Sequence, residues 1–200
     1  MGRFILGITG NIATGKSTVV KMLVSRGAHH IDADKVYHEL VAPGEPLLQT
    51  LVDHFGEGIL AEDGSLDRKA LGAIVFSDPA KLAELDALTH PAVIAESDRR
   101  AFKVEHGIVI LDAVKLIESG HADVCDAVWL VTAPEATQVD RLVARNNISP
   151  EEARRRIDAQ PPLAPKRSRA DLEIVNDGSL DDLRKQVDAA WLTIPEEFRA

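Results

Sequence analysis

The sequence predicts an α/β protein built on a parallel β-sheet with helices packed on its faces. Three observations carry that prediction. A glycine-rich octet, Gly10-Asn11-Ile12-Ala13-Thr14-Gly15-Lys16-Ser17, lies between the apolar run Phe4–Ile8 and the helical stretch Val19–Val24. A short second run, Ala28–Ile31, follows that helix, and a strand–helix–strand unit favours parallel pairing. Further apolar runs at Ile108–Asp112, Ala127–Val131 and Leu172–Asn176 supply three more strands, which makes five.

The octet fits G-x-x-x-x-G-K-S/T, the phosphate-binding loop of P-loop nucleotide hydrolases and kinases. Each fixed position has a physical reason. Gly10 and Gly15 allow a tight turn that presents backbone N–H groups to phosphate oxygens. Lys16 reaches the β- and γ-phosphates as a point charge, and Ser17 offers a hydroxyl to Mg²⁺. A helix beginning near Ser17 turns its positive end toward the same anion. Gly27 suits the end of that helix. The expected fold is therefore the three-layer P-loop nucleoside-triphosphate-hydrolase type, with ATP and Mg²⁺ as expected ligands.

Composition narrows the functional classes. Two hundred residues suit one domain, 1–200, with an inserted subdomain. A net charge of −9 argues against broad binding to nucleic acid or anionic membranes. Cys125 is the single cysteine, so no intrachain disulfide forms, which fits a reducing, cytoplasmic setting. Charged residues interrupt every apolar run short of a membrane span, and the chain enters its first strand without a secretory signal. The expected state is a monomer or weak homo-oligomer acting on small molecules.

Taken in order, the next candidates are Asp32 and Asp34. They follow the second strand, and ligands of parallel sheets sit beyond the carboxyl ends of the strands. Two carboxylates there can orient a hydroxyl, accept its proton or hold Mg²⁺ through water. The bland alternative is that Asp34 caps a helix over residues 35–41. Residues 43–107 are mostly helical in pattern and too long for a simple crossover, so they read as a helical insert forming one wall of a substrate cleft. Asp67 and Asp78-Pro79 start helices there, and Thr89-His90-Pro91 is expected to break one. His90 is a candidate substrate contact, against the alternative of a helix-boundary histidine.

Asp112 ends a buried-type strand where a Walker-B-like metal carboxylate would sit; a turn cap is the alternative. Lys115 is charged among apolar neighbours and can meet an anionic substrate group or snorkel to solvent. Glu118 is expected to pair with Lys115 or to cap a helix. Arg141 and Arg145 lie four apart on one helical face. With Arg154–Arg156, Lys166, Arg167 and Arg169 they concentrate positive charge in an acidic chain. That is either a solvated face or a basic lid over ATP, placed at about 141–169.

These residues together resemble the dephospho-coenzyme A kinase family over nearly the whole chain. The matching stretches are Ile8–Gly10 through Ser17-Thr18, Ile31–Asp34, Leu88–Pro91, the Arg141/Arg145 pair, Gln160, and Ala170-Asp171 through Asn176–Gly178. The resemblance implies transfer of the ATP γ-phosphoryl group to the ribose 3′-hydroxyl of dephospho-coenzyme A, the last step of coenzyme A synthesis. It implies that Asp34 is the base or hydroxyl-orienting residue, that Lys16 and the loop through Thr18 cradle phosphate, and that Arg141 and Arg145 belong to a lid. It also implies that Asn176 lies near adenine and that the helical insert binds the acceptor. Asn11 and Ala13 replace glycines common in the family's loop, at free positions. Residues 112–118, Asp-Ala-Val-Lys-Leu-Ile-Glu, depart from the usual proline-leucine-leucine-phenylalanine-glutamate pattern. The competing readings are a P-loop nucleoside, nucleotide or other small-molecule kinase, and a GTPase-like switch. The switch would be expected to carry a late N-K-x-D, which the chain lacks.

Overall fold

The computed structural model describes residues 2–199. In chain order its main elements are β1 (Arg3–Thr9), α1 (Lys16–Val24), β2 (His29–Asp32), α2 (Ala33–Leu40), α3 (Pro46–Phe55), α4 (Arg68–Val75), α5 (Pro79–Phe102), β3 (Gly107–Asp112), β4 (Ala127–Thr132), α6 (Glu135–Asn146), α7 (Pro150–Asp158), α8 (Leu163–Arg169), β5 (Leu172–Val175) and α9 (Leu180–Trp191). They fall into two compact units. Of the described residues, one holds 2–31 and 101–199, the other Asp32–Arg100.

The first unit is organised by the five-stranded parallel sheet, in the order β2-β3-β1-β4-β5. Its strands are apolar runs because both faces are covered. Leu6, Ile8, Ile108, Ile110, Trp129, Val131 and Ile174 pack with Val19, Val20 and Leu23 of α1 and Leu183, Val187 and Ala190 of α9. Leu6 and Ile8 are wholly buried, and burying such a side chain contributes about 1.5–3 kcal/mol. Register then places the functional end of the sheet. Ile8 lies opposite Asp112, Thr9 opposite Leu130, and Thr132 opposite Val175. The carboxyl ends of β1, β3, β4 and β5 thus lie nearly level, which is where a parallel sheet collects ligand-binding loops.

The second unit is helical, around Val41, Leu47, Leu51, Ile59, Leu71 and Val75. Asp67 caps α4 by accepting from the Lys69 and Ala70 amides. At α2 the cap is Asp32, which accepts from the amides of Asp34 (3.0 Å) and Lys35 (3.3 Å). The alternative of Asp34 as that cap is therefore corrected. The expected break at Thr89-His90-Pro91 is corrected too, because α5 runs unbroken from Pro79 to Phe102 with Pro91 inside it. Proline cannot donate to the carbonyl four residues back and normally interrupts a helix. Here the helix is carried through by its packing, as Leu82, Leu85, Leu88 and Ala92 all lie against the unit's core. Glu96 ties the far end, accepting from Arg99 and Arg100 (2.6–2.7 Å), and these bonds hold its carboxyl down at about 2.

Candidate active site

The glycine-rich loop leaves β1 at Thr9 and enters α1 at Lys16. Only glycine fits at two of its positions. A Cβ on Gly10 would run into the Val131 carbonyl of β4, and Gly15 has φ +96 with the Asn176 amide pressed against it. Gly15 is the N-cap of α1, so the free amides of that helix's first turn open toward the loop. A loop that turns this tightly at a helix N-terminus is a ready anion site.

Behind the loop its carbonyls are held by Asn176, which directly follows β5, and by Arg141 of α6. Asn176, buried, donates from Nδ2 to the Thr14 carbonyl (2.8 Å). Arg141 donates to the carbonyls of Ala13 and Thr14 (both 3.2 Å) and of Asn176 (3.3 Å). The front of the loop is held by the turn after α7. The Ile12 amide donates to Gln160 Oε1 (2.9 Å), and Asn11 Nδ2 donates to the Pro161 carbonyl (3.2 Å). Ile12 and Ala13 also pack with Val139, Leu142 and Ala153 of α6 and α7. Ala13 takes φ +60, the left-handed conformation a glycine adopts more cheaply.

At the end of β3, Asp112 is nearly buried and both its oxygens are engaged. Oδ1 is paired with Lys16, and Oδ2 lies 3.2 Å from His30 Nε2. Burial pushes the Asp112 carboxyl up, but the His30 hydrogen bond and the Lys16 charge outweigh it and hold the group below the ordinary carboxylate value. Asp112 is therefore an ionised carboxylate beside the phosphate loop.

The structure thus brings together Gly10–Thr18, Lys16, Asp112, Arg141 and Asn176. Ser17 sits exposed in the first turn of α1, and Lys115 is half-buried in the turn after β3. Arg145 is not on the loop; its guanidinium is exposed and donates to Asn146 Oδ1 (2.9 Å). Asp32, Asp34 and His90 belong to the second unit. Asp34 is exposed in the first turn of α2, and His90 lies 3.4 Å from Asp86 one turn earlier in α5. Glu118 pairs with Lys166, its Oε1 lying 3.3 Å from the ammonium. Lys166 itself is wholly buried, unlike a solvated lysine. The residue that sequence reasoning missed outright is His30. It stands two positions before the Asp32 that drew attention, and no local pattern names its partner.

A parallel sheet with this loop at the end of its central strand defines a P-loop nucleotide-binding protein. Comparison narrows the class. The dephospho-CoA kinase family matches residues 4–182. The dephospho-CoA kinase of Symbiobacterium thermophilum is 50% identical over 190 residues, spanning 94% of this chain and 80% of that protein. A crystal structure from Thermus thermophilus has a TM-score of 0.83 at 36% identity, covering 98% of this chain and all (100%) of its own. Dephospho-CoA kinase from Campylobacter jejuni has a TM-score of 0.67 at 27% identity, covering 96% and 97%. The chain belongs to the dephospho-CoA kinase family.

Proposed function

We propose that this chain transfers the γ-phosphoryl group of ATP to the ribose 3′-hydroxyl of dephospho-coenzyme A, giving coenzyme A and ADP, the last step of coenzyme A biosynthesis. The observation that carries the reading is a phosphate loop whose lysine, arginine and asparagine neighbours are already assembled, in a chain of this family. Residues 10–18 and Lys16 cradle the phosphates. Asp34 orients the acceptor hydroxyl and takes its proton, with Asp32 beside it. Asn176 lies toward the adenine, and His90 and Lys115 contact the acceptor. Residues 43–107 bind the acceptor, and residues 141–169 form the lid, with Arg145 on it.

Mg²⁺ fits the donor set. Ser17 offers an exposed hydroxyl in the first turn of α1, and Asp112 is held ionised, which is the hard-oxygen chemistry the ion prefers. When bound, the ion neutralises charge between the β- and γ-phosphates. Asp112 would have to share an oxygen now engaged by Lys16 or His30. Among the described residues no helix is long and apolar enough to cross a membrane. Action in the cytoplasm as a monomer or weak homo-oligomer, without nucleic acid, remains part of this proposal.

The test is a coupled assay of ADP release with ATP and Mg²⁺ against a panel of acceptors: dephospho-coenzyme A, nucleosides, nucleotides and shikimate. Turnover dependent on dephospho-coenzyme A supports the reading. Turnover with a nucleoside or nucleotide alone favours the alternative kinase.

Arg141 supplies a sharper expectation within that reading. Its guanidinium already bridges three carbonyls around the loop, so it is fixed beside the phosphates. Arg141→Ala should lower kcat by roughly a hundredfold or more if that charge meets the transferred phosphoryl group. Arg141→Lys should rescue poorly, since an ammonium lacks the planar fork that spans those carbonyls. A rise in KM for ATP with kcat unchanged would mean uniform binding instead.

A further inference from the structure

Lys166 is a charged side chain with no exposed surface, on a short helix at the end of the proposed lid segment, and it has been given no role so far. Its ammonium donates to the Val114 carbonyl and pairs with Glu118 Oε1 at 3.3 Å. Val114 belongs to the turn after β3, in the stretch where this sequence departs from the family pattern. The same Val114 carbonyl accepts from Thr9 Oγ1 (3.0 Å). Thr9 is wholly buried and directly precedes Gly10. The neighbouring Ala113 amide donates to the Ile8 carbonyl (3.2 Å). The turn after β3 is thus stitched to the end of β1 at the point where the phosphate loop begins, and Lys166 holds that stitch from below.

We infer that Lys166 is a positioning residue for phosphoryl transfer: by fixing the Val114 carbonyl it sets the Thr9–Gly10 hinge of the phosphate loop and the placement of Lys115, and its buried charge adds to the field that the phosphates meet. The inference rests on the kinase reading only for its kcat arm. Burial pushes the Lys166 ammonium down, Glu118 pulls it up, and Lys16 and Lys115 push it down further.

A purely structural lysine makes a different prediction. Lys166 is wholly buried and Glu118 partly exposed; removing one partner of such a pair leaves the other's charge uncompensated, whereas neutralising both is often tolerated. If Lys166 only held the fold together, neutralising both partners would return stability and activity in step. If it positions the loop, stability returns and function does not.

The experiment compares the full-length wild type with Lys166→Met, Glu118→Gln and the double variant. The readouts are thermal midpoint, ATP affinity by calorimetry and kcat for ADP release with dephospho-coenzyme A. Lys166→Met should weaken ATP binding and lower kcat, each by about tenfold or more, the scale of a lost charged hydrogen bond. Glu118→Gln keeps the ammonium and its bond to Val114, so it should stay within about threefold of wild type in both, less than a charged hydrogen bond is worth. The double variant should recover the thermal midpoint without recovering ATP affinity. It also supplies the readout if Lys166→Met does not fold. Recovery of ATP affinity along with the midpoint would overturn the inference, as would wild-type binding by Lys166→Met. A wild type inactive on dephospho-coenzyme A would overturn the kinase reading, while the ATP-affinity comparison would still decide the role of Lys166.

Discussion

Lys16→Ala should reduce kcat by about a hundred- to a thousandfold or more, the scale of removing a preorganised donor from a transition state. Lys16 opens α1 at the end of the loop, and in the proposed reading its charge meets the β- and γ-phosphates. The structure adds a second consequence that the motif alone does not contain. Lys16 is paired with Asp112, a carboxylate with little exposure, whose remaining neighbour is His30. Without Lys16 that carboxylate keeps its burial and loses a compensating charge, so the variant should also be less stable. For a chain of this size each kcal/mol lost lowers the thermal midpoint by about 2–4 °C. The sign of the pH dependence follows from Asp112. Its folded pKa lies below the ordinary 3.8, so its contribution is present above that value and lost as pH falls through the folded one. The stability gap between wild type and Lys16→Ala should therefore narrow in acid. Asp112→Asn in the Lys16→Ala background should restore the midpoint without restoring turnover. A folded Lys16→Ala protein with near wild-type kcat would sink the phosphate-loop assignment.

The phosphate loop was legible because backbone geometry dictates residue type there. A Cβ at Gly10 meets a neighbouring strand, and Gly15 sits at positive φ, so the motif is a local record of local constraints. The strands were legible because burial on both faces demands unbroken apolar runs, as in Ile108–Leu111. Pro91 misled because a local rule about backbone donors was overridden by the packing of α5 along its length. Lys166 misled for a related reason. In a window containing Arg167 and Arg169 it reads as part of a cationic surface, yet its partners Val114 and Glu118 come from the turn after β3. His30 and Asp112 stand 82 residues apart, and no spacing rule connects them until the sheet is assembled. What the sequence hides is pairing across elements; what it displays is geometry within them.

Asp34→Asn should lower kcat by on the order of a hundred- to ten-thousandfold, the usual range for a positioned general base. The aspartate pair Asp32 and Asp34 divides its work in a way that bears on this. Asp32 is the N-cap of α2, and its Oδ1 is occupied by the amides of Asp34 and Lys35. Asp34 stands in the first turn, exposed and outside that capping duty, and in the proposed reading its carboxylate is the one that meets the acceptor hydroxyl. A ribose hydroxyl is a weak nucleophile until its proton has an acceptor. Phosphoryl transfer through a loose transition state depends as much on alignment of that hydroxyl as on the proton's removal. Asparagine keeps the size and one acceptor oxygen but cannot take the proton, so alignment survives in part while proton transfer fails. ATP affinity should change little, because the proposed reading gives the phosphates to the loop and Lys16. Asp32→Asn should behave differently. Asparagine caps helices about as well as aspartate, so the fold should be retained. If Asp32 organises Mg²⁺ through water, its defect should be partly relieved as Mg²⁺ is raised. Steady-state kinetics of both variants across a Mg²⁺ titration, with ATP binding by calorimetry, separates the two roles. Normal turnover by Asp34→Asn, with Asp32→Asn dead at every Mg²⁺ concentration, would move the base to Asp32 and leave α2 capped by the catalytic carboxylate itself.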